Sequence, residues 1–202
     1  MYNVLIIGGG VSGLSAALVF GSAKNRDFMA DKHIGIIAHQ KASSLQNAVF
    51  NNTLGLPIGK TGKEILEEGR NQLKTLYPEV DQIEGEMVME IIRLKDYTLE
   101  VKTNKNSYIS ENIIVCTGAK RMAIKGLLEY KTLHTKLPLH KERIMLKHDH
   151  YKVADGIYVA GTLTGERSQF AIAAGSGTTV ATDILTLWNN GTTTMIHDKI
   201  EL

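Results

Sequence analysis

With 202 residues, 43% of them hydrophobic and 22% charged, the chain has the make-up of an ordinary globular protein with one sizeable core. A formal net charge of +2, with no basic run interleaved with aromatics, argues against a nucleic-acid partner. One cysteine excludes an internal disulfide and suits a reducing, cytoplasmic setting; no stretch reaches the roughly 20 apolar residues of a membrane span, so no membrane partner is expected.

The run Val4-Leu5-Ile6-Ile7 predicts a strand that stops at Gly8-Gly9-Gly10. Its apolar stretch is too short, and lacks the basic flank and cleavage site, for a signal peptide. Leu14 to Phe20, rich in alanine and leucine, predicts a helix, and His33 to Ala38 a second buried strand, so the three make a β-α-β unit. Thr61 followed by Glu64 forms a capping box for a helix carrying Ile65, Leu66, Leu73 and Leu76, which Pro78 ends. Glu86–Leu94, Tyr97–Val101 and Tyr108–Ile109, parted by polar turns, predict a small antiparallel meander. Ile113-Ile114-Val115 predicts a separate short buried strand running into Thr117-Gly118. Residues 119–143, lysine-rich with Pro138 and two histidines, read as a hairpin or linker. Gly156 to Ala160 predicts the last core strand, Gln169 to Trp188 a long helix, and the polar tail beyond it a frayed end.

Gly8-Gly9-Gly10-Val11-Ser12-Gly13 fits G-x-G-x-x-G directly after a strand and at the start of a helix. In that context the first glycine makes the tight turn and the second lets a pyrophosphate approach the backbone. The third permits close helix–strand packing, and the helix N-terminus supplies partial positive charge. The pattern predicts a dinucleotide site. An acid that would hold a ribose hydroxyl at the end of the second strand is missing. His39 or Gln40 stands there, either as a weaker ribose partner or as part of a solvated loop.

Four further segments carry a family likeness in the same order. They are Asn51-Asn52-Thr53-Leu54-Gly55-Leu56-Pro57 with Thr61-Gly62, then Ile113 to Ala119, then Gly156 to Gly161, then Ser168 to Gly177. With the glycine loop they resemble the FAD domain of thioredoxin reductases and their low-molecular-weight pyridine nucleotide-disulfide oxidoreductase relatives. The resemblance covers about three quarters of the chain, leaving 120–143 and the tail outside it. It implies a three-layer Rossmann-like α/β fold with a central parallel sheet and a small antiparallel meander. It implies one FAD-binding domain over 1–202: a first half at 1–119, a short linker at 120–143, the last strand and helix at 144–190, and a tail at 191–202. Residues implied to surround FAD are Gly8, Gly10, Val11, Ser12 and Gly13, then His39, Gln40 and Gln46, then Asn52 and Val88. The set is completed by Thr117 and Gly118, Gly161 and Thr162, and Gln169 and Phe170. The helix opened by the last pair would direct its N-terminus at the pyrimidine edge of the flavin. Homodimerisation is a further implication.

The departures are equally specific. A second dinucleotide domain of roughly a hundred residues or more would separate the T-G-A segment from the last strand; about 35 residues, Lys120 to Ala154, fill that interval. There is no second glycine motif and no C-x-x-C, so disulfide reduction of the thioredoxin type is excluded for this chain alone, and Cys116 reads as a buried core thiol. Thr162 replaces the aspartate expected against the ribityl chain, Lys41-Ala42-Ser43 replaces a G-G-Q segment, and Gln46 is a candidate substitute. His148-Asp149-His150 lacks a third metal ligand at a usual spacing, so no metal is expected. Glu166 and Arg167 touch substrate, a partner or merely each other, Met87 and Met89 read as packing, and Ser12 and Ser168 have no hydrolase context. The leading expectation is an FAD-dependent oxidoreductase with no assignable catalytic residue, its electrons supplied by a separate donor protein or a small reductant. A non-catalytic dinucleotide-binding module and, more remotely, an NAD dehydrogenase are the alternatives.

Overall fold

A computed structural model describes residues 1–39, 45–120 and 122–197. In chain order the elements are β1 (Tyr2–Ile7), α1 (Val11–Ser22), β2 (Ile34–Ala38), β3 (Val49–Phe50), β4 (Lys60–Thr61), α2 (Gly62–Leu76) and β5 (Asp81–Glu84). They continue with β6 (Val88–Arg93), β7 (Leu99–Thr103), β8 (Ser107–Val115), β9 (Lys131–Leu133), β10 (Ile144–Leu146), β11 (Lys152–Ala154), β12 (Ile157–Val159) and α3 (Phe170–Trp188).

The central sheet runs β11-β12-β8-β1-β2-β5, parallel throughout except for the edge strand β11. Successive strand residues face opposite sides, so β1 divides its side chains between two cores. Val4 and Ile6 join Ile36, Ile114, Phe20, Leu73 and Val180 on the helical side. Leu5 and Ile7 join Val101, Val115, Leu127, Leu146 and Val159 on the other. Helices, sheet and a third layer of meander and hairpin give the expected three-layer α/β architecture.

Two strands differ from expectation. The meander strand at 108–109 and the buried strand at 113–115 are one nine-residue strand, β8. Its first half pairs antiparallel with β7 and its second half pairs parallel with β1 and β12. The polar Ser110-Glu111-Asn112 stretch suggests a break, but Ser110 is buried and donates its hydroxyl to Asn112 O at 2.6 Å, while Asn112 Nδ2 reaches Asn3 O at 3.1 Å. Side-chain hydrogen bonds thus carry polar residues through a continuous strand. β5 was not expected, because Asp81-Gln82-Ile83-Glu84 is mostly polar; as the exposed edge beside β2 it needs few apolar residues.

The segment at 120–143 is not an open tether. Met122, Ile124 and Leu127 are buried in the second core, β9 pairs with β10, and Ile144 and Leu146 complete that packing. The tail is also partly fixed: Thr194 is buried, its N–H donates to Thr186 Oγ1 and its hydroxyl reaches Thr182 O, while Ile196 packs on the helical core.

Thr61 caps α2 as its sequence predicts. Glu64 N–H donates to the Thr61 hydroxyl at 3.3 Å and Thr61 N–H donates to the Glu64 carboxylate at 2.8 Å, a cap worth about 1 kcal/mol. α1 and α3 cross where neither has bulk: a Cβ on Gly177 would lie 2.0 Å from Ser12 O. By length and composition α3 could cross a membrane, yet Val180, Ala181, Ile184 and Leu185 are buried in the helical core.

Candidate functional site

The glycine loop links β1 to α1, and the three glycines at its motif positions meet three different constraints. Gly8 takes φ +118°, and a Cβ there would press to 2.6 Å from Cys116 O. A Cβ on Gly13 would sit 1.9 Å from Gly8 O, so this glycine serves helix–strand packing. Gly10 is different. Its φ of −81° suits any residue, and a Cβ would meet no atom of the described residues within 4 Å. Gly10 instead leaves open the space in front of the first turn of α1, which has no side-chain cap and no acidic residue. Backbone N–H groups at an uncapped helix start, with the helix dipole behind them, form an anion cradle.

That cradle opens on a cavity of about 650 Å³, within the size range of small-molecule and cofactor sites. Its walls come from the ends of β1, β2 and β8, the start of β6, the loop after β12 and the N-terminus of α3. α3 likewise has no side-chain cap at Gln169 and no acid in its first turn. Phe50 and Phe170 meet edge-on with centroids 5.3 Å apart and both line the cavity near this second helix start.

Four polar features shape the cavity and its rim. Glu86 is buried on the wall and accepts from Thr103 Oγ1 at 2.6 Å, Asn106 Nδ2 at 2.7 Å and Tyr108 Oη at 2.9 Å. The Thr103 hydroxyl foremost, with Asn106 and Tyr108, outweighs burial and holds this carboxyl below its ordinary range. Its contribution to stability is therefore present above the ordinary value of 4.5 and lost as pH falls through the lowered one.

Thr162 lines the cavity and its hydroxyl accepts from Ala119 N–H at 3.2 Å. Two histidines anchor the backbone around it. His134 is buried, accepts from Lys136 N–H on Nδ1 at 3.1 Å, and directs Nε2 to Thr162 O and Glu166 O, each at 3.1 Å. His148 accepts from Tyr151 N–H at 3.1 Å and directs Nε2 to Thr164 O at 2.9 Å. A neutral ring with its hydrogen on Nε2 satisfies every bond in both cases.

Cys116 lies against the loop. Burial pushes its thiol up to about 12, only partly offset by a hydrogen bond with Ser12. Because the folded value lies above the ordinary 9.0, the stability this neutral thiol contributes is intact below pH 9 and lost as pH rises through the folded value. We expect iodoacetamide at pH 8 to leave the folded protein unlabelled and to modify Cys116 only after denaturation, read by mass spectrometry. Rapid labelling of the native protein would contradict the buried, protonated thiol.

Of the residues expected around a cofactor, Gly8, Gly10, Val11, Ser12, His39, Val88, Thr117, Gly118, Gly161, Thr162, Gln169 and Phe170 line this one cavity. Gly13 lies behind it, and neither Gln46 nor Asn52 is on its wall. Asn52 is exposed, whereas its neighbour Asn51 accepts from Gly59 N–H at 2.9 Å and closes the loop between β3 and β4. Gln40 and Lys41-Ala42-Ser43 lie outside the described residues. Met87 and Met89, read as packing, are 43% and 45% exposed and line the cavity, as do Glu86, Phe50 and Lys120, which sequence reasoning missed. The glycine at position 85, which takes φ +68° directly after β5, was the sequence signal available for a turn there. His148 is engaged as above and His150 is exposed, and among the described residues no three potential ligands gather. Glu166 pairs with Lys136 rather than with Arg167.

Comparison with known proteins adds three findings. A family model described as pyridine nucleotide-disulphide oxidoreductase matches residues 2–161. The ferredoxin–NADP reductase of Halalkalibacterium halodurans is 24% identical over 136 residues, which cover 65% of this chain and 40% of that protein. The chain thus spans about two fifths of the length of that curated relative. Among solved structures, the atypical thioredoxin reductase TRi of Desulfovibrio vulgaris Hildenborough matches with a TM-score of 0.70 at 15% identity, over 95% of this chain and 99% of the other. A ferredoxin-flavin thioredoxin reductase of Clostridium acetobutylicum matches with a TM-score of 0.66 at 15% identity, over 96% and 99%. Likeness at these identities establishes a shared fold.

Proposed function

Since this chain belongs to the pyridine nucleotide-disulphide oxidoreductase family, we propose that its cavity holds FAD and that it is an FAD-dependent oxidoreductase reduced to the flavin domain. The observation that carries this reading is the open space at Gly10, before an uncapped and acid-free helix start, leading into a cavity of about 650 Å³. The residues present suit the cofactor along its length. The α1 N-terminus would hold the pyrophosphate, His39 and Val88 would border the adenosine end, and Gln169 and Phe170 would border the ring end at the start of α3. When bound, FAD supplies reversible electron or hydride transfer, and the protein orients it and sets its electrostatics. Thr162 Oγ1 accepts from Ala119 N–H and keeps its own hydrogen to donate, a neutral bond weaker than a carboxylate's charge-assisted one. FAD affinity is therefore expected to fall below that of a site with an acid there. Association as a homodimer and electron supply by a separate protein or a small reductant belong to the same proposal.

One observation favours a non-catalytic binding module instead: among the described residues, Glu86 is the one carboxylate on the cavity wall, and three donors already engage it. Reduction separates the readings. Protein loaded with FAD should be bleached by dithionite, reoxidised by a soluble electron acceptor, and left oxidised by NADPH, because the chain has no second glycine motif. Rapid bleaching by NADPH would overturn the single-site reading. Bound FAD that is never reoxidised by any acceptor would favour the module.

A further inference from the structure

A second, smaller cavity of about 220 Å³ adjoins the first, and Lys120, Thr162 and Ser168 border both. Its outer wall is Leu137, Pro138, Lys141 and Arg143, all from the stretch between β8 and β11 that stands where the family resemblance implies a whole domain. Among the described residues, eight line it, three of them cationic and none acidic. Among the described residues, neither Lys141 nor Arg143 has a carboxylate within 4 Å, and the nearby Glu166 carboxylate is engaged by Lys136. Lys141 and Arg143, lining one concavity with no carboxylate of the described residues within 4 Å of either, repel each other and focus a positive field into it. Such an arrangement is relieved by an anion, and the Ser168 hydroxyl adds a neutral donor.

We propose that this cavity is an anion subsite, taking the phosphate or carboxylate group of a small redox partner whose remainder crosses Thr162 and Ser168 toward the cofactor cavity. The volume is below that of sites for whole drug-sized ligands, which suits a single charged group rather than a second dinucleotide. Arg143 presents a planar fork matched to either oxyanion, and Lys141 a mobile point charge. The term redox partner rests on the flavin reading above, whereas anion binding at Lys141 and Arg143 does not.

The test is a titration of the full chain with inorganic phosphate and, separately, acetate, followed by two-dimensional amide NMR, with FAD uptake measured in parallel. We expect saturable shifts at Ala119, residues 137–143, Thr162 and Ser168. A Lys141→Gln/Arg143→Gln double variant should bind the anion at least about tenfold more weakly, since hydrogen bonds to charged groups are involved. Its other amide signals and its FAD uptake should be unchanged. Tighter binding of phosphate would identify a phosphate ester, and tighter binding of acetate a carboxylate; either supports the subsite. Absence of shifts with both anions, shifts confined to residues 9–12, or equal affinity in the double variant would overturn it. If FAD uptake fails while phosphate still shifts 137–143, the subsite stands and the flavin reading falls; the reverse result removes the subsite alone.

Discussion

Gly10→Val keeps the fold and loses FAD. The backbone at Gly10, φ −81° and ψ −172°, is extended and open to a β-branched residue, and the position precedes the helix proper. No atom of the described residues lies within 4 Å of the added Cβ. The thermal midpoint should therefore stay within about 2 °C of the parent, as for a surface substitution. The new side chain, however, occupies the space in front of the α1 N–H groups. An anion held off that helix start loses charge-assisted hydrogen bonds worth about 1.5–3 kcal/mol each and the favourable dipole. FAD affinity should fall at least about a hundredfold, measured by quenching of flavin fluorescence. Unchanged affinity would remove the α1 cradle from the account, and gross unfolding would contradict the geometry at Gly10.

Gly177→Ala gives the opposite result, a damaged fold. Its Cβ would stand 2.0 Å from Ser12 O, 2.8 Å from Ser12 C and 3.0 Å from Ser12 Cα, all backbone atoms of α1 that cannot turn aside as a side chain can. α1 and α3 would have to separate, and with them the N-termini that both face the cavity. Overpacking of this severity costs about 3 kcal/mol or more, a fall of roughly 6–12 °C in the midpoint for a chain of this length. Differential scanning calorimetry of the variant against Gly175→Ala, whose Cβ meets none of the described residues within 4 Å, isolates the crossing from the general effect of replacing a helical glycine. Equal midpoints in the two variants would show that the helices do not touch as described.

The contrast between these glycines marks what sequence reading can reach. The motif names Gly8, Gly10 and Gly13 together, and only the folded chain separates the glycine that faces a ligand from those that serve turn and packing. The β-α-β start, the Thr61 capping box and the Phe170–Trp188 helix were legible because each has its own local signal: a β-branched run, a reciprocal cap, helical spacing of apolar side chains. β8 was not, because Ser110 and Asn112 are polar and the hydrogen bonds that keep them in the strand come from residues about a hundred positions away or from the strand itself. Met87 and Met89 were misread for a related reason. Alternating apolar residues in a strand suggest burial, but here the meander passes over the glycine loop and leaves both at the cavity's edge. His134 gave no sequence signal at all. Its role is to hold Thr162 and Glu166 backbone atoms some thirty residues further on, a relation only the fold creates.

FAD binding is tested most directly by recording the visible spectrum of the freshly purified protein, before and after incubation with FAD, and identifying any heat-released ligand by chromatography. Flavin absorption bands and recovery of FAD are expected, either as purified or after incubation. A colourless protein that releases no nucleotide and takes up no FAD at high micromolar concentration would contradict it, and would mean that the changes at Thr162 and beyond β2 have abolished the site.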